Sequence, residues 1–161
     1  MSKFTWPGLL LLLTISWSCK KEEVTNAPID SDYFSFGQFY GECIGDGCIA
    51  IFKIENNKLY EDTLDHYPNG LAAYEGSYIQ RPDSLYQMVA DLSNAFPAAL
   101  LDETNTVIGM PDAGDWGGIY VAIKQNGQTH FWLIDTMEDN LPAYLIPFKN
   151  SIRQAVADIL H

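Results

Sequence analysis

The sequence predicts an α+β fold, with a largely antiparallel sheet of about five strands and two helices packed on one of its faces. Three observations support this prediction. Residues 33–80 contain several short segments rich in aromatic and β-branched residues, which are typical of strands. Asn126-Gly127 lies between two further apolar segments and favours a hairpin turn. Apolar residues recur at helical spacing after Pro82 and after Pro147.

The strands are predicted in chain order from their residue content and from the turns that separate them. Asn56-Asn57 is expected to turn the chain between the second strand and the third. Gly76 weakens the fourth strand by interrupting it. The predicted strands are residues 33–40, 48–55, 58–63, 73–80, 118–125 and 128–135.

The Asn-Gly turn also fixes the register of the last two strands, because a two-residue type I′ turn sets the pairing. The predicted cross-strand pairs are Ile123 with His130, Val121 with Trp132, and Ile119 with Ile134. These six residues share one face, which is expected to join the core. The opposite face is also partly apolar, with Tyr120, Ala122, Phe131 and Leu133. It either packs on another element or presents an aromatic binding patch to a partner, with Trp116, Tyr120 and Phe131 as candidates.

Two amphipathic helices are predicted. Asp83 follows Pro82 and is expected to be the N-cap of the first helix, which ends before Pro97. Pro147 is a favourable first residue for the second helix. The predicted core-facing residues are Leu85, Met88, Val89 and Leu92 in the first helix, and Phe148, Ile152, Ala155, Val156 and Ile159 in the second.

Length and charge narrow the range of functions. The chain has 161 residues, and a single domain is predicted at residues 33–161. It carries 9 Lys and Arg against 21 Asp and Glu, which gives a formal net charge of −12. This charge argues against binding to nucleic acid and against a polybasic contact with a membrane.

The N-terminus has the pattern of a targeting segment. An apolar run at residues 9–15 is too short to span a bilayer, and Ser18-Cys19 follows it. This segment resembles a bacterial lipoprotein signal, in which cleavage precedes a cysteine that carries the lipids. The resemblance implies a signal peptide at residues 1–18 and lipid attachment and a tether at 19–32. The domain would then be anchored to the outer membrane, on its periplasmic side or at the cell surface. An ordinary secretory signal or an apolar N-terminal helix is the alternative.

Lipidation of Cys19 leaves an even pair of cysteines, Cys43 and Cys48, in an oxidising compartment. Gly45 and Gly47 lie between them and permit a tight loop. A disulfide is therefore predicted. It would close a small ring, stiffen this loop and contribute about 2 kcal/mol to the free energy of unfolding. A redox pair and two ligands of a metal ion are the alternatives.

The segment from Cys43 to Ile54 also resembles the opening of a family of small bacterial envelope domains of unknown function. That family opens with a Cys-x-Gly-x-Cys motif that runs into a strand, and here one extra residue separates the cysteines. Met110-Pro111-Asp112 ahead of a strand and the closing amphipathic helix follow in the same order. The resemblance implies the fold and the disulfide, and it implies no activity because none is assigned to the family.

Acidic residues flank the open end of the predicted hairpin, where the two loops are expected to converge. They are Asp112 and Asp115 on one side, and Asp135, Glu138 and Asp139 on the other. Calcium is a candidate cofactor here, since it takes roughly six to eight oxygen ligands. Beside Trp116, the same carboxylates also suit a sugar or an acid–base pair. A solvated acidic loop end is the third interpretation.

The sequence contains no catalytic signature of the nucleophile-elbow, phosphate-loop or zinc-protease type. We therefore expect a lipid-anchored, non-enzymatic envelope protein that binds a protein or glycan partner. One alternative is an inhibitor or immunity-type lipoprotein, whose negative charge neutralises a basic partner. The other is a small hydrolase that uses the carboxylates at the hairpin end.

Overall fold

The computed structural model of the chain describes residues 31–45 and 47–161. The predicted signal peptide at residues 1–18 and the predicted lipid-attachment residue Cys19 lie outside the described residues, as does most of the tether predicted up to residue 32. Within the described ranges, none of the helices combines the length and the hydropathy needed to cross a bilayer.

The predicted α+β class is confirmed: residues 31–161, apart from residue 46, form one sheet of seven strands and two α-helices. The strand order is β4-β3-β2-β1-β6-β7-β5, and every neighbouring pair is antiparallel except β5 and β7. The strands are β1 Tyr33–Phe39, β2 Ile49–Glu55, β3 Lys58–Asp62, β4 Tyr78–Gln80, β5 Val107–Ile108, β6 Gly118–Gln125 and β7 Gln128–Asp135. The helices are α1 Asp83–Val89 and α2 Leu145–Leu160, with short 3₁₀ turns at Leu92–Ala95, Ala98–Asp102, Ala113–Asp115 and Glu138–Asn140.

The sheet has seven strands where about five were predicted. Strand β5 is the one that none of the six predicted segments covers, because its two residues carry no pattern of their own. It is a strand only because it lies beside β7, where Val107 pairs with Leu133. The fourth strand is also shorter than predicted, since only Tyr78–Gln80 pairs with β3.

The hairpin formed by β6 and β7 has the predicted register, with Ile123 opposite His130 and Val121 opposite Trp132. Asn126 and Gly127 have φ values of 54° and 76°, the left-handed conformation that a type I′ turn requires. The register prediction is therefore confirmed. His130 is half-buried, and its ring stacks on the Trp132 ring at a centroid distance of 6.3 Å.

The helix starts differ from the prediction. Asp83 is the first residue of α1 and not its N-cap, and Pro82 occupies the cap position without a side-chain hydrogen bond. Helix α2 begins at Leu145, two residues before Pro147. A proline fits there because the first-turn N–H groups of a helix have no partner within the helix. Met88, predicted to face the core, is 54% exposed.

Both helices pack on the same face of the sheet, as predicted. Phe34 and Phe36 of β1 and Val121 of β6 meet Phe148 and Ile152 of α2 in the larger core cluster. Phe96 follows the 3₁₀ turn at Leu92–Ala95 and contacts both Trp132 and Phe148, whose ring centroids are 5.8 and 5.5 Å away. This core therefore joins the central strands to the C-terminal helix.

The opposite face of the sheet holds a smaller core, made of Phe39, Ile51, Tyr120, Ala122 and Leu133. The loop at residues 63–77 lies over part of this face. Its Tyr74 backbone N–H donates to the Tyr120 hydroxyl at 2.9 Å, and its Tyr67 ring meets Phe39 edge-on at 5.2 Å. Of the two interpretations of this face, the structure therefore supports packing against another element.

The loop is held in place by Asp62, which is only 4% exposed. Its carboxylate accepts hydrogen bonds from the backbone N–H groups of Leu64, Asp65 and Ser77. It also accepts one from the Tyr74 hydroxyl at 2.6 Å. A buried carboxylate is stabilised by several such donors, so Asp62 fixes both ends of the loop.

Truncation of Ile152 tests the contact between α2 and the sheet. Ile152→Ala removes a fully buried side chain, and we expect a loss of about 2–5 kcal/mol in the free energy of unfolding. The neighbouring Arg153 is exposed, so Arg153→Ala is expected to change that free energy by less than about 0.5 kcal/mol. Urea denaturation of both variants measures the difference, and equal losses would contradict the packing described.

Candidate functional site

The two loops at the open end of the β6–β7 hairpin lie together, as the register requires. Gly118 pairs with Asp135, the last residue of β7. The Thr136 hydroxyl donates to the Trp116 carbonyl at 3.1 Å, which joins the loop after β7 to the loop before β6. This end of the sheet is therefore a single surface built from residues 109–117 and 135–140.

Asp135 lies beneath this surface, is only 1% exposed, and holds the loops in place through its hydrogen bonds. Its carboxylate accepts hydrogen bonds from the backbone N–H groups of Met110 at 2.8 Å and Met137 at 2.9 Å. The Asn140 side-chain amide donates a third at 2.8 Å. Gly109 lies so close that a Cβ there would be 2.6 Å from the Asp135 Cβ. Asp135 therefore fixes the positions of Met110 and Met137.

Asp112 joins three loops at the same end of the sheet. Its carboxylate accepts hydrogen bonds from the Gly41 backbone N–H at 2.7 Å, the Tyr67 hydroxyl at 2.8 Å and the Gly117 backbone N–H at 2.9 Å. Asp112 itself adopts a left-handed φ of 61°, a conformation that Asp tolerates better than most residues. It thereby ties the loop after β1 and the loop at residues 63–77 to the loop that carries Trp116.

The outer acids have other environments. Glu138 is exposed, and hydrogen bonds from Asn150 and Lys149 hold the pKa of its carboxyl below the usual value. Lys149 is 2% exposed and also donates to the Thr136 carbonyl at 2.9 Å. Asp115 and Asp139 are exposed. The five predicted acids therefore split into two that hold loops together and three on the outer surface.

Calcium binding by these acids stays a prediction. Among residues 31–45 and 47–161, no group of three or more His, Cys, Asp or Glu side chains is arranged to hold a metal ion. The oxygens of Asp112 and Asp135 accept hydrogen bonds from loop amides, so a cation would compete with these donors for the same oxygens.

Three large apolar side chains protrude from the surface that these acids organise. Trp116 is 64% exposed, Met110 is 60% exposed and Met137 is 46% exposed. We call these three residues the hairpin-end patch. Asp115 adjoins Trp116 in the chain, and Glu138 adjoins Met137, so acidic residues border the patch.

The other two predicted binding residues lie elsewhere. Tyr120 is 1% exposed, and the prediction that it belongs to an exposed patch is wrong because Tyr74 covers it. Phe131 is half-buried and packs against the smaller core. Of the three predicted binding residues, Trp116 alone is largely exposed.

The predicted disulfide joins Cys43 to Cys48, with their Cα atoms 5.6 Å apart. It forms one wall of a cleft of about 540 Å³, whose other lining residues include Tyr40, His66 and Tyr67. Ile44, inside the disulfide ring, is fully exposed. The Tyr40 ring packs over Gly117, where a Cβ would be 2.3 Å from its nearest ring carbon, so the cleft adjoins the loop of Trp116.

Met110, Met137 and Tyr67 were not predicted from the sequence as residues of a functional site. The two methionines adjoin predicted acids, but nothing local indicates that they remain exposed. Tyr67 is separated by 45 residues from Asp112, its hydrogen-bond partner, so the chain order gives no sign of the contact. For Tyr67 alone the sequence offered a sign of a functional position, since it is an aromatic residue in the loop sequence Asp65-His66-Tyr67-Pro68.

Comparison of the chain with protein family models, with curated proteins and with solved structures finds no match.

Because the pKa values of several tyrosines are raised in the folded state, we expect the fold to lose stability at alkaline pH. Burial, with help from the adjacent Asp112, raises the pKa of Tyr67 to about 12, and burial with the charge of Asp62 raises the pKa of Tyr78 to about 12. Their unfolded value is near 10.0, so their contribution is complete below pH 10 and disappears as the pH rises through 12. We expect the urea midpoint to fall over this range.

Tyr67→Phe separates one tyrosine from the others. The variant loses the hydrogen bond to Asp112, so it starts less stable at neutral pH, and its midpoint then falls less steeply between about pH 10 and 12. A midpoint that is constant over this range in the parent chain would refute the prediction.

Proposed function

We propose that this chain is a lipid-anchored cell-envelope protein and a non-enzymatic binding module that presents the hairpin-end patch to a protein partner. One observation carries the proposal. An exposed tryptophan and two exposed methionines lie on two adjoining loops whose backbones are fixed by Asp112 and Asp135. Trp anchors dominate many protein interfaces, and Met adapts to irregular partner surfaces.

The rigidity of the loops supports a binding role. Loops that are already ordered lose little conformational freedom when a partner docks, which favours affinity. Asp135 fixes the backbone at both methionines, and Asp112 fixes the backbone at Gly117, next to Trp116. The patch is therefore preorganised.

The position of the patch suits an anchored protein. The chain enters the domain at Tyr33, which pairs with Lys124 next to the hairpin turn. Trp116 lies beyond Gly118, at the other end of β6. The eight residues of β6 span about 25 Å, so the patch lies about that far from the point where the chain enters the domain.

A protein partner suits the patch better than a glycan does. Met110 and Met137 offer apolar, flexible side chains and no hydrogen-bonding group suited to sugar hydroxyls. The acids that border the patch resemble the polar rim of a protein interface.

The two alternative functions receive less support. An inhibitor that neutralises a basic partner would gain from a continuous acidic surface, but Asp135 is buried and Asp112 binds loop amides. A hydrolase would need two carboxylates free to face one substrate atom, whereas Asp112 and Asp135 each bind loop amides through both carboxylate oxygens.

Lipid attachment predicts a specific effect of Cys19→Ala. The variant should lose incorporation of labelled fatty acid and move from the membrane fraction to the soluble fraction of a bacterial host. The Cys43→Ala, Cys48→Ala double variant serves as the control and should keep the label, because those cysteines form the disulfide. Labelling of Cys19→Ala at the parent level would rule out lipidation at this residue.

The hairpin-end patch predicts a crosslinking pattern. A photo-crosslinking amino acid at position 137 should capture a discrete envelope protein in the producing cell, and one at the exposed position 153 should not. Adding Trp116→Ala should reduce capture at position 137 by about tenfold or more, since a Trp anchor contributes about 2 kcal/mol or more.

Met88→Ala is the matched control, because Met88 is 54% exposed but lies on α1, outside the patch. It should leave capture unchanged. Thermal melting would check that each variant folds. Equal capture by the parent chain and by a folded Trp116→Ala variant would contradict the assignment of the binding surface.

A further inference from the structure

A second surface lies on the sheet face opposite the helices, at the end near the hairpin turn. The register places its residues side by side: Ser35 pairs with Lys53, and Lys53 pairs with Tyr60. Tyr33, two residues before Ser35 on the same strand, pairs with Lys124. We call the following six residues the tyrosine–lysine face: Tyr33, Lys53, Lys58, Tyr60, Tyr78 and Lys124.

This surface remains accessible, although the other half of the same sheet face is covered. The loop at residues 63–77 packs on Phe39 and Tyr120, near the open end of the hairpin. The helices pack on the opposite face. All six residues of the tyrosine–lysine face are half-buried or exposed, so each of them presents part of its surface to solvent.

The surface carries more cations than acids, although the chain as a whole is acidic. Three of its six residues are lysines, and the Lys and Arg residues of the described part are Lys53, Lys58, Arg81, Lys124, Lys149 and Arg153. Half of these cations therefore lie on one small face of a chain whose net charge is −12. Two acids share the face: Glu55 pairs with Lys53 at 3.3 Å, and Asp62 is buried at the edge of the loop.

The aromatic rings form a shallow layer around one cation. The Lys53 ammonium lies 4.6 Å from the Tyr78 ring centroid, 5.5 Å from that of Tyr60 and 5.8 Å from that of Tyr33. These cation–π contacts hold the three rings and the ammonium group as one unit. The layer has flat apolar ring faces, phenol hydroxyls and lysine ammonium groups within one surface.

We propose that the tyrosine–lysine face binds an acidic polysaccharide, with sugar rings lying on the tyrosines and sugar carboxylates paired with Lys124 and Lys58. This site is independent of the hairpin-end patch and goes beyond the function proposed above. The positive charge of the face selects an anionic ligand. A chain of flat rings needs no deep pocket, whereas a protein partner would need a protruding apolar anchor, and all three tyrosines are half-buried.

The test uses the full chain and three polymers of similar length: polygalacturonate, neutral dextran and poly-glutamate. Binding is measured by affinity electrophoresis and by calorimetry at low and high salt. We expect polygalacturonate to bind, dextran to bind at least about tenfold more weakly, and added salt to weaken the binding of polygalacturonate. Poly-glutamate carries the charge without the sugar rings and is expected to bind more weakly than polygalacturonate.

Variants locate the site. Lys124→Gln should weaken binding of polygalacturonate about threefold, which is typical of one exposed charge contact, and Tyr60→Ala about fivefold. Arg153→Gln removes the same charge from the exposed side of α2 and should change binding by less than a factor of about two. Trp116→Ala should leave it unchanged, which separates this site from the hairpin-end patch. Thermal melting would verify that the variants fold.

Several results would overturn the proposal. Absence of polygalacturonate binding would do so, and so would equal binding of dextran. Equal or tighter binding of poly-glutamate would indicate an acidic protein partner instead. Binding that Arg153→Gln weakens as much as Lys124→Gln does would place the ligand elsewhere.

Discussion

Strand β6 lies in the interior of the sheet, between β1 and β7, and its side chains on both faces are removed from water. Ile119, Val121 and Ile123 meet the helices, while Tyr120 and Ala122 face the other way and are equally buried. This requirement explains why two different elements cover the sheet. The C-terminal helix covers one face, and the loop at residues 63–77 covers part of the other.

Three carboxylates serve the same structural purpose in different loops. Asp62, Asp112 and Asp135 each accept hydrogen bonds from backbone N–H groups of loop residues. A carboxylate can accept several hydrogen bonds at once, so one side chain replaces the backbone pairing that a loop lacks. The formal charge of −12 therefore overstates the negative charge that is free to meet a partner.

The chain separates its surfaces by chemistry as well as by position. The hairpin-end patch is apolar with an acidic border, whereas the tyrosine–lysine face combines rings with cations. They lie toward opposite ends of β6, so a ligand on one surface leaves the other accessible.

The sequence by itself determined the elements whose signals are local. The Asn126-Gly127 turn fixed the hairpin register, because only left-handed residues fit a type I′ turn. The spacing of Phe148, Ile152 and Val156 determined which side of α2 is buried, and two nearby cysteines determined the disulfide. Tertiary structure decided the rest. Strand β5 exists because β7 lies beside it, Tyr120 is covered by a loop 46 residues away, and Asp112 finds Tyr67 across 45 residues. Such contacts depend on how distant segments meet, and local patterns carry no information about that.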